Sequence, residues 1–236
     1  GTSVPSYWLW QERLNRLGFE AADMVVAPSQ AHAAMLRQSY GTVGCPRVVY
    51  NGSDAVAASV EREPYVFAAG RWWDDGKNGG VLDEAAALTD WPVLMAGANH
   101  GPNGAHRDIA QAQWLGELGH AEVMARMRQA GIFVSPSRYE PFGLAPLEAA
   151  GSGAAMVLAD IPTYRELWDG VALFADKDDP QGFADAINSL ARDPDQRRQI
   201  GAAARERAAR FTLAAQGRAM QQAYESLLMP SLSRTA

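Results

Sequence analysis

From about residue 65 onward, short apolar runs alternate with segments of helical periodicity. The runs at 65–69, 92–96, 112–115, 132–135, 156–159 and 171–175 have strand length, which predicts strands buried on both faces. Helical patterns near 78–89, 120–130, 143–151 and 162–168 fall between them. Such alternation predicts an α/β fold, a parallel sheet with helices on both faces. Ligands of these sheets bind beyond the carboxyl ends of the strands. Here those ends read Gly70-Arg71, Gly97-Ala98, Gly116-Glu117, Ser137-Arg138-Tyr139-Glu140 and Asp160-Ile161-Pro162. Glycine and polar residues therefore gather on the edge where a ligand should sit.

The flanks read differently. Residues 1–50 suggest a helix at 7–20, a strand at 24–27, a helix at 30–40 and a strand at 47–50. That is too little to close a domain, so the expectation is a partial N-terminal domain whose earlier portion is missing. Asn51-Gly52 and the polar stretch after it read as a linker over 51–64, which leaves 65–211 as the main domain. Pro180 opens a helix carrying Phe183, Ile187 and Leu190 on one face, and Asp193-Pro194 breaks it. An Arg/Ala-rich helix at 196–210 follows, whose Arg197, Arg198, Arg205, Arg207 and Arg210 read as a solvated face. Thr212 caps a final helix within 212–236, with Leu213, Met220, Tyr224 and Leu227 along one side and Pro230 at its end.

Composition narrows the partners. The net charge of −6 argues against nucleic acid, while a small phosphorylated ligand needs only a local cluster of bases. A single cysteine, Cys45, excludes an internal disulfide and fits a reducing, cytoplasmic setting. No apolar run approaches the ~18–20 residues of a membrane span. His32, His100, His106 and His120 have no ligand-like spacing, so no metal site is expected.

The most telling stretch is Glu140-Pro141-Phe142-Gly143-Leu144-Ala145-Pro146-Leu147-Glu148, which follows the run at 132–135. Gly143 can cap a helix, and Pro146 falls in its first turn, where a missing N–H costs nothing. The N–H groups of Gly143, Leu144 and Ala145 then point outward at the positive end of the helix dipole, a ready anion site. Glu148 lies one turn below Leu144 with its side chain tilted toward the helix start. Glu140 would face the other end of a ligand resting there. Phosphate in the middle and hydroxyls at both ends describe a nucleotide sugar. A second cluster, Gly70-Arg71-Trp72-Trp73-Asp74-Asp75-Gly76-Lys77-Asn78, places Arg71 and Lys77 across a turn from which both could reach one diphosphate.

With both clusters in hand, the chain resembles the retaining GT-B glycosyltransferases of family 4, the group 1 transferases. The matching pieces are Ala69-Gly70-Arg71 with Lys77-Asn78, Trp114-Leu115-Gly116-Glu117-Leu118, Val134-Ser135-Pro136-Ser137, the two-glutamate motif, and Ala172-Leu173-Phe174. The resemblance covers nearly all of 20–229. It implies two Rossmann-like domains with the active site in the cleft, residues 1–50 ending the acceptor-side domain and the last helix crossing back to it. It assigns Arg71 and Lys77 to the donor diphosphate, Glu140 to the hydroxyls of the transferred sugar and Glu148 to the ribose. The backbone at Phe142, Gly143 and Leu144 would contact phosphate and sugar, Gly70 would precede the arginine, and Gly116 to Leu118 would lie beside the base. One departure is Gly153-Ala154-Ala155-Met156, where many members read Gly-x-Pro-Val.

The expected activity is hexose transfer from a UDP-, GDP- or ADP-linked sugar to a glycan, lipid or small-molecule acceptor, with retention of configuration. No cofactor or metal is implied. The missing N-terminal region is compatible with peripheral membrane association. Two rivals on the same fold are a nucleotide-sugar-binding fragment without activity and a nucleotide-sugar epimerase. A hydrolase using Glu140 and Glu148 would leave Arg71 and Lys77 idle. A dehydrogenase fails because Gly151-Ser152-Gly153 precedes a strand instead of following one.

Overall fold

In the computed structural model, which describes residues 8–41, 44–54, 61–102 and 104–228, the strands form two parallel sheets. The smaller pairs β1 (Val26–Ala27) with β2 (Arg47–Val48), flanked by α1 (Leu9–Ala21) and α2 (Gln30–Tyr40). The larger contains β3 (Glu63–Ala69), β4 (Val93–Ala96), β5 (Gln113–Trp114), β6 (Ala130–Ser135), β7 (Ala155–Ala159) and β8 (Leu173–Ala175). Its spatial order is β5-β4-β3-β6-β7-β8, parallel throughout. All six carboxyl ends therefore lie on one edge. The chain leaves β3 toward β4 and returns on its other side as β6, so a crevice opens between the ends of β3 and β6.

Both faces of this sheet are buried, as the unbroken apolar runs require. Tyr65 and Phe67 pack with Leu94, Phe133 and Met127, the last from α4 (His120–Gln129). The alternate residues Val66 and Ala68 pack with Ile132, Val134, Leu82 of α3 (Gly79–Ala86) and Phe183 of α7 (Pro180–Arg192). The period of two thus feeds two cores at once. α5 (Leu144–Ser152), α6 (Pro162–Trp168) and α8 (Pro194–Ala208) complete the cover, and α9 (Leu213–Leu228) follows. No described helix is long and apolar enough to cross a membrane.

Several elements differ from the sequence expectation. Strand pairing at 112–115 shrinks to Gln113–Trp114, and the run at 171–175 pairs only over Leu173–Ala175, because Val171 is drawn into a turn onto the Trp168 carbonyl. α3 ends at Ala86, where the Thr89 hydroxyl donates to the Ala86 and Trp91 carbonyls and closes the chain into a turn. α8 begins earlier, at Pro194, because the Asp193 carboxylate accepts from the N–H groups of Asp195 and Gln196. The arginine run is not simply a solvated face. Arg197 donates to the Leu190 and Ala191 carbonyls and lies over the Trp91 ring, and Arg207 donates to the Leu167 carbonyl. On α9, Thr212 caps Ala215 N–H as expected, but Leu213, Tyr224 and Leu227 are exposed. Ala223 is buried and Met220 partly buried, while Gln216 accepts from Gly52 N–H and Ser226 accepts from Arg47 of β2. The first residue of the expected helix at 7–20, part of the linker at 55–60, and Pro230 lie outside the described residues.

Among the described residues the connection from β4 to β5 holds no helix. Its last turn is organised instead by the buried Asp83 of α3, whose carboxylate accepts from the N–H groups of Ala110, Gln111 and Ala112 at 2.9–3.1 Å. Asp83→Ala would strip the partner from all three amides and should cost about 2–3 kcal/mol, read as a lowered denaturation midpoint with unchanged slope.

Candidate functional site

The loops after β3 and β6 meet across the crevice. Asp74 accepts from Gly76 N–H and starts a 3-10 turn over Asp75–Lys77. Asn78 then adopts a left-handed conformation (φ 56°), with its buried amide donating to the Pro136 and Lys177 carbonyls at 3.0 and 2.6 Å. Arg138 N–H donates to the Gly76 carbonyl at 2.9 Å. With both loops pinned, Lys77 Nζ reaches Glu140 Oε2 at 2.6 Å. Two predicted site residues, distant by 63 positions, are thus brought into direct contact.

Arg71 is not brought to them. Its guanidinium pairs with Asp74 at 3.1 Å, lies 5.6 Å from the centre of the Trp73 ring and is largely exposed. It stands on the same sheet edge, on a loop shared with Lys77. Gly70 is pressed by its neighbour strand: at Gly97 (φ 121°) a side chain's Cβ would fall 1.9 Å from the Gly70 carbonyl oxygen. Only glycine permits this approach. Gly97 N–H in turn donates to the carbonyl of Gly116, and Leu118 packs half-buried against the core that holds Phe67, Leu94 and Phe133.

Beyond Glu140 the chain turns into α5 through Gly143 (φ 94°). A Cβ there would meet the Tyr164 ring at 3.1 Å and Glu140 Cγ at 3.3 Å. The N–H groups of Gly143, Leu144 and Ala145 take no acceptor among the described residues, so the dipole end stays open to the crevice. Leu144 is exposed, whereas the Phe142 ring is buried against Tyr50 and Phe211. Tyr164, which the sequence reading missed, underlies the motif: its hydroxyl meets Ser135 Oγ at 2.6 Å. Burial first, and the nearby Glu140 charge second, hold its phenol protonated. Nothing local in Pro162-Thr163-Tyr164 announces that contact.

Glu148 is half-buried and has no hydrogen-bond partner among the described residues. Burial raises its pKa above the ordinary value, partly offset by His120 at the start of α4. Its carboxylate is therefore an unspent acceptor one turn into α5. Among the described residues no cluster of three or more His, Cys, Asp or Glu could hold a metal ion.

Set beside known proteins, residues 104–207 match the family described as glycosyl transferases group 1. The chain is 30% identical to alpha-maltose-1-phosphate synthase of Mycolicibacterium smegmatis, over 82% of this chain and 60% of that protein. It is 30% identical to the GDP-mannose:cellobiosyl-diphosphopolyprenol alpha-mannosyltransferase of Xanthomonas campestris, over 78% of this chain and 53% of that protein. The chain thus spans little more than half the length of these relatives. Among solved structures, sucrose-phosphate synthase of Thermosynechococcus elongatus superposes with a TM-score of 0.80 at 22% identity, covering 95% of this chain and 64% of that one. HepE of Anabaena, solved with UDP and glucose, superposes at 0.78 and 19% identity, covering 94% and 67%. The chain therefore shares its α/β fold with these GT-B structures.

The raised Glu148 pKa carries a sign. The native state holds this proton more tightly than the unfolded chain, so stability falls as pH rises from the ordinary carboxylate value through the raised one. Glu148→Gln should raise the melting temperature at neutral pH. The gain should vanish below the ordinary carboxylate range, where both states are protonated.

Proposed function

We propose that this chain forms the donor side of a retaining family 4 glycosyltransferase, which moves a hexose from a nucleoside-diphosphate sugar to an acceptor. The Lys77–Glu140 pair beside the open amides of α5 carries the reading. A diphosphate arriving at the helix start offers Lys77 a second anion, and Glu140, freed from the lysine, gains the sugar hydroxyls as donors. Glu148 then takes the ribose. Arg71 leaves Asp74 for the outer phosphate by rotation of an exposed side chain.

Breaking the sugar–phosphate bond builds negative charge on the departing diphosphate. Lys77, Arg71 and the α5 dipole oppose that charge and stabilise the transition state more than the bound donor. This supply of positive charge makes a metal unnecessary in the proposed reaction. The relatives' names, one a GDP-mannose transferase, and the UDP in HepE favour a UDP- or GDP-linked donor, with ADP as the third choice. The acceptor is a glycan, a lipid-linked sugar or a small molecule, and the reaction is placed in the cytoplasm. A binding fragment without turnover is the second reading, because the chain spans little more than half of its relatives.

Two measurements test this. In a thermal-shift series, UDP-glucose, GDP-mannose or ADP-glucose should raise the melting temperature of the chain, since a ligand bound only to the native state stabilises it; no shift with any of them removes the site. In the full-length gene product, Lys77→Ala should lower turnover by about 100-fold or more, and NMR of the product should show the donor's anomeric configuration. Near-wild-type turnover would refute the role of Lys77, and an inverted product would refute retention.

A further inference from the structure

The small sheet and the large one meet at the start of α2, and the contact falls on the loop that carries Glu140. Ser29 caps α2: its Oγ accepts from His32 N–H at 3.0 Å. A cap needs only that acceptor, yet the Ser29 hydroxyl also donates, at 2.7 Å, to the carbonyl of Pro141, 112 positions away. Ser29 is completely buried. Its neighbours are held just as firmly. The N–H groups of Gln30 and Ala31 donate to the two oxygens of Glu166 on α6, at 2.9 and 2.7 Å. The Tyr50 hydroxyl donates to the same carboxylate at 3.0 Å. Burial, and then this bond to Glu166, push the Tyr50 pKa up to about 12, so the phenol keeps the proton it donates. On the near side of Glu140, Tyr139 OH lies 3.4 Å from His32 Nδ1.

Glu140 is therefore flanked by two residues that both face the first turn of α2. Its own carboxylate reaches the other way, to Lys77. We propose that Ser29, seated by Glu166, is a positioning residue that sets the Glu140 carboxylate against the transferred sugar. This rests on the reading of Glu140 as the contact to the sugar hydroxyls. It adds a device that the donor loop cannot supply by itself: the Pro141 carbonyl is fixed from the opposite sheet, so the aim of Glu140 depends on how the two sheets sit together.

The side-chain chemistry separates this role from capping alone. Threonine accepts and donates as serine does, and alanine does neither. In the full-length gene product, Ser29→Ala should lower kcat by between about 10- and 100-fold, the scale of a small misplacement near reacting atoms. The affinity for UDP or GDP alone should stay within about twofold, because the helix tip and Lys77 are untouched. Discrimination between donors that differ at one hydroxyl, UDP-glucose against UDP-galactose and GDP-mannose against GDP-glucose, should shrink. Ser29→Thr should keep kcat within about threefold of wild type. Glu166→Gln, which leaves Ser29 in place but loosens its seat, should show the same pattern more weakly.

A Ser29→Ala protein with a lowered melting temperature but unchanged kcat and discrimination would overturn the proposal, as would a threonine variant no better than alanine. If Ser29→Ala does not fold, Glu166→Gln carries the test by the same readouts. Glu140→Gln in the same assay separates the two claims. If it leaves discrimination unchanged, the assignment of Glu140 itself fails; if it alters discrimination and Ser29→Ala does not, only the positioning role fails.

Discussion

The Lys77–Glu140 ion pair is the contact on which the site depends. It spans the one place in the sheet where the chain reverses its direction of travel, and it is only partly open to water. A lysine and a carboxylate in such a place satisfy each other, and removing one alone leaves an uncompensated charge. Whatever replaces the pair must bring an anion for the lysine and hydrogen-bond donors for the carboxylate together. A sugar linked to a diphosphate has both, a few ångströms apart. A bare phosphate has only the first and a free sugar only the second, so under the proposed function the joined molecule is the one that answers both members of the pair.

Much of the central architecture was legible because burial on both faces leaves a strong mark. Runs such as Tyr65-Val66-Phe67-Ala68 and Ile132-Phe133-Val134 have no polar position to spare, since odd and even residues enter different cores. The helix after Glu140 was legible for a local reason too. Glycine at a positive φ and proline in the first turn are demands of the backbone itself, written within a few residues of the structure they produce.

Contacts that join a side chain to a distant backbone group were not legible. Ser29 announces a helix cap, and the sequence holds no trace of the carbonyl at Pro141 that takes its proton. Asp83 looks like an ordinary helix carboxylate until three amides from 27 to 29 positions further on converge on it. Arg197 and Arg207 likewise read as solvated charges, yet each lays its guanidinium on carbonyls at a helix end. Arginine forms such contacts from almost any helix face, so the pattern of the sequence does not record them. The apolar stripe of α9 erred in the other direction: periodicity reports which residues could be buried together, and Tyr224 and Leu227 remain in solvent.

The carboxylate of Asp83 also changes what fixes the edge of the sheet. β5 is only two residues long and would ordinarily owe its placement to a covering helix in the crossover before it. Here its approach is moored to α3, an element on the other side of β4 in the chain. The intervening hairpin, where His100 and His106 pair, is released from that duty and closes instead on the loop after β3: a Cβ at Gly101 would fall 2.7 Å from the Trp73 ring, and Arg107 pairs with Asp75. The rim of the crevice nearest Trp73 is thereby held by contacts of its own, apart from those that hold the outermost strand.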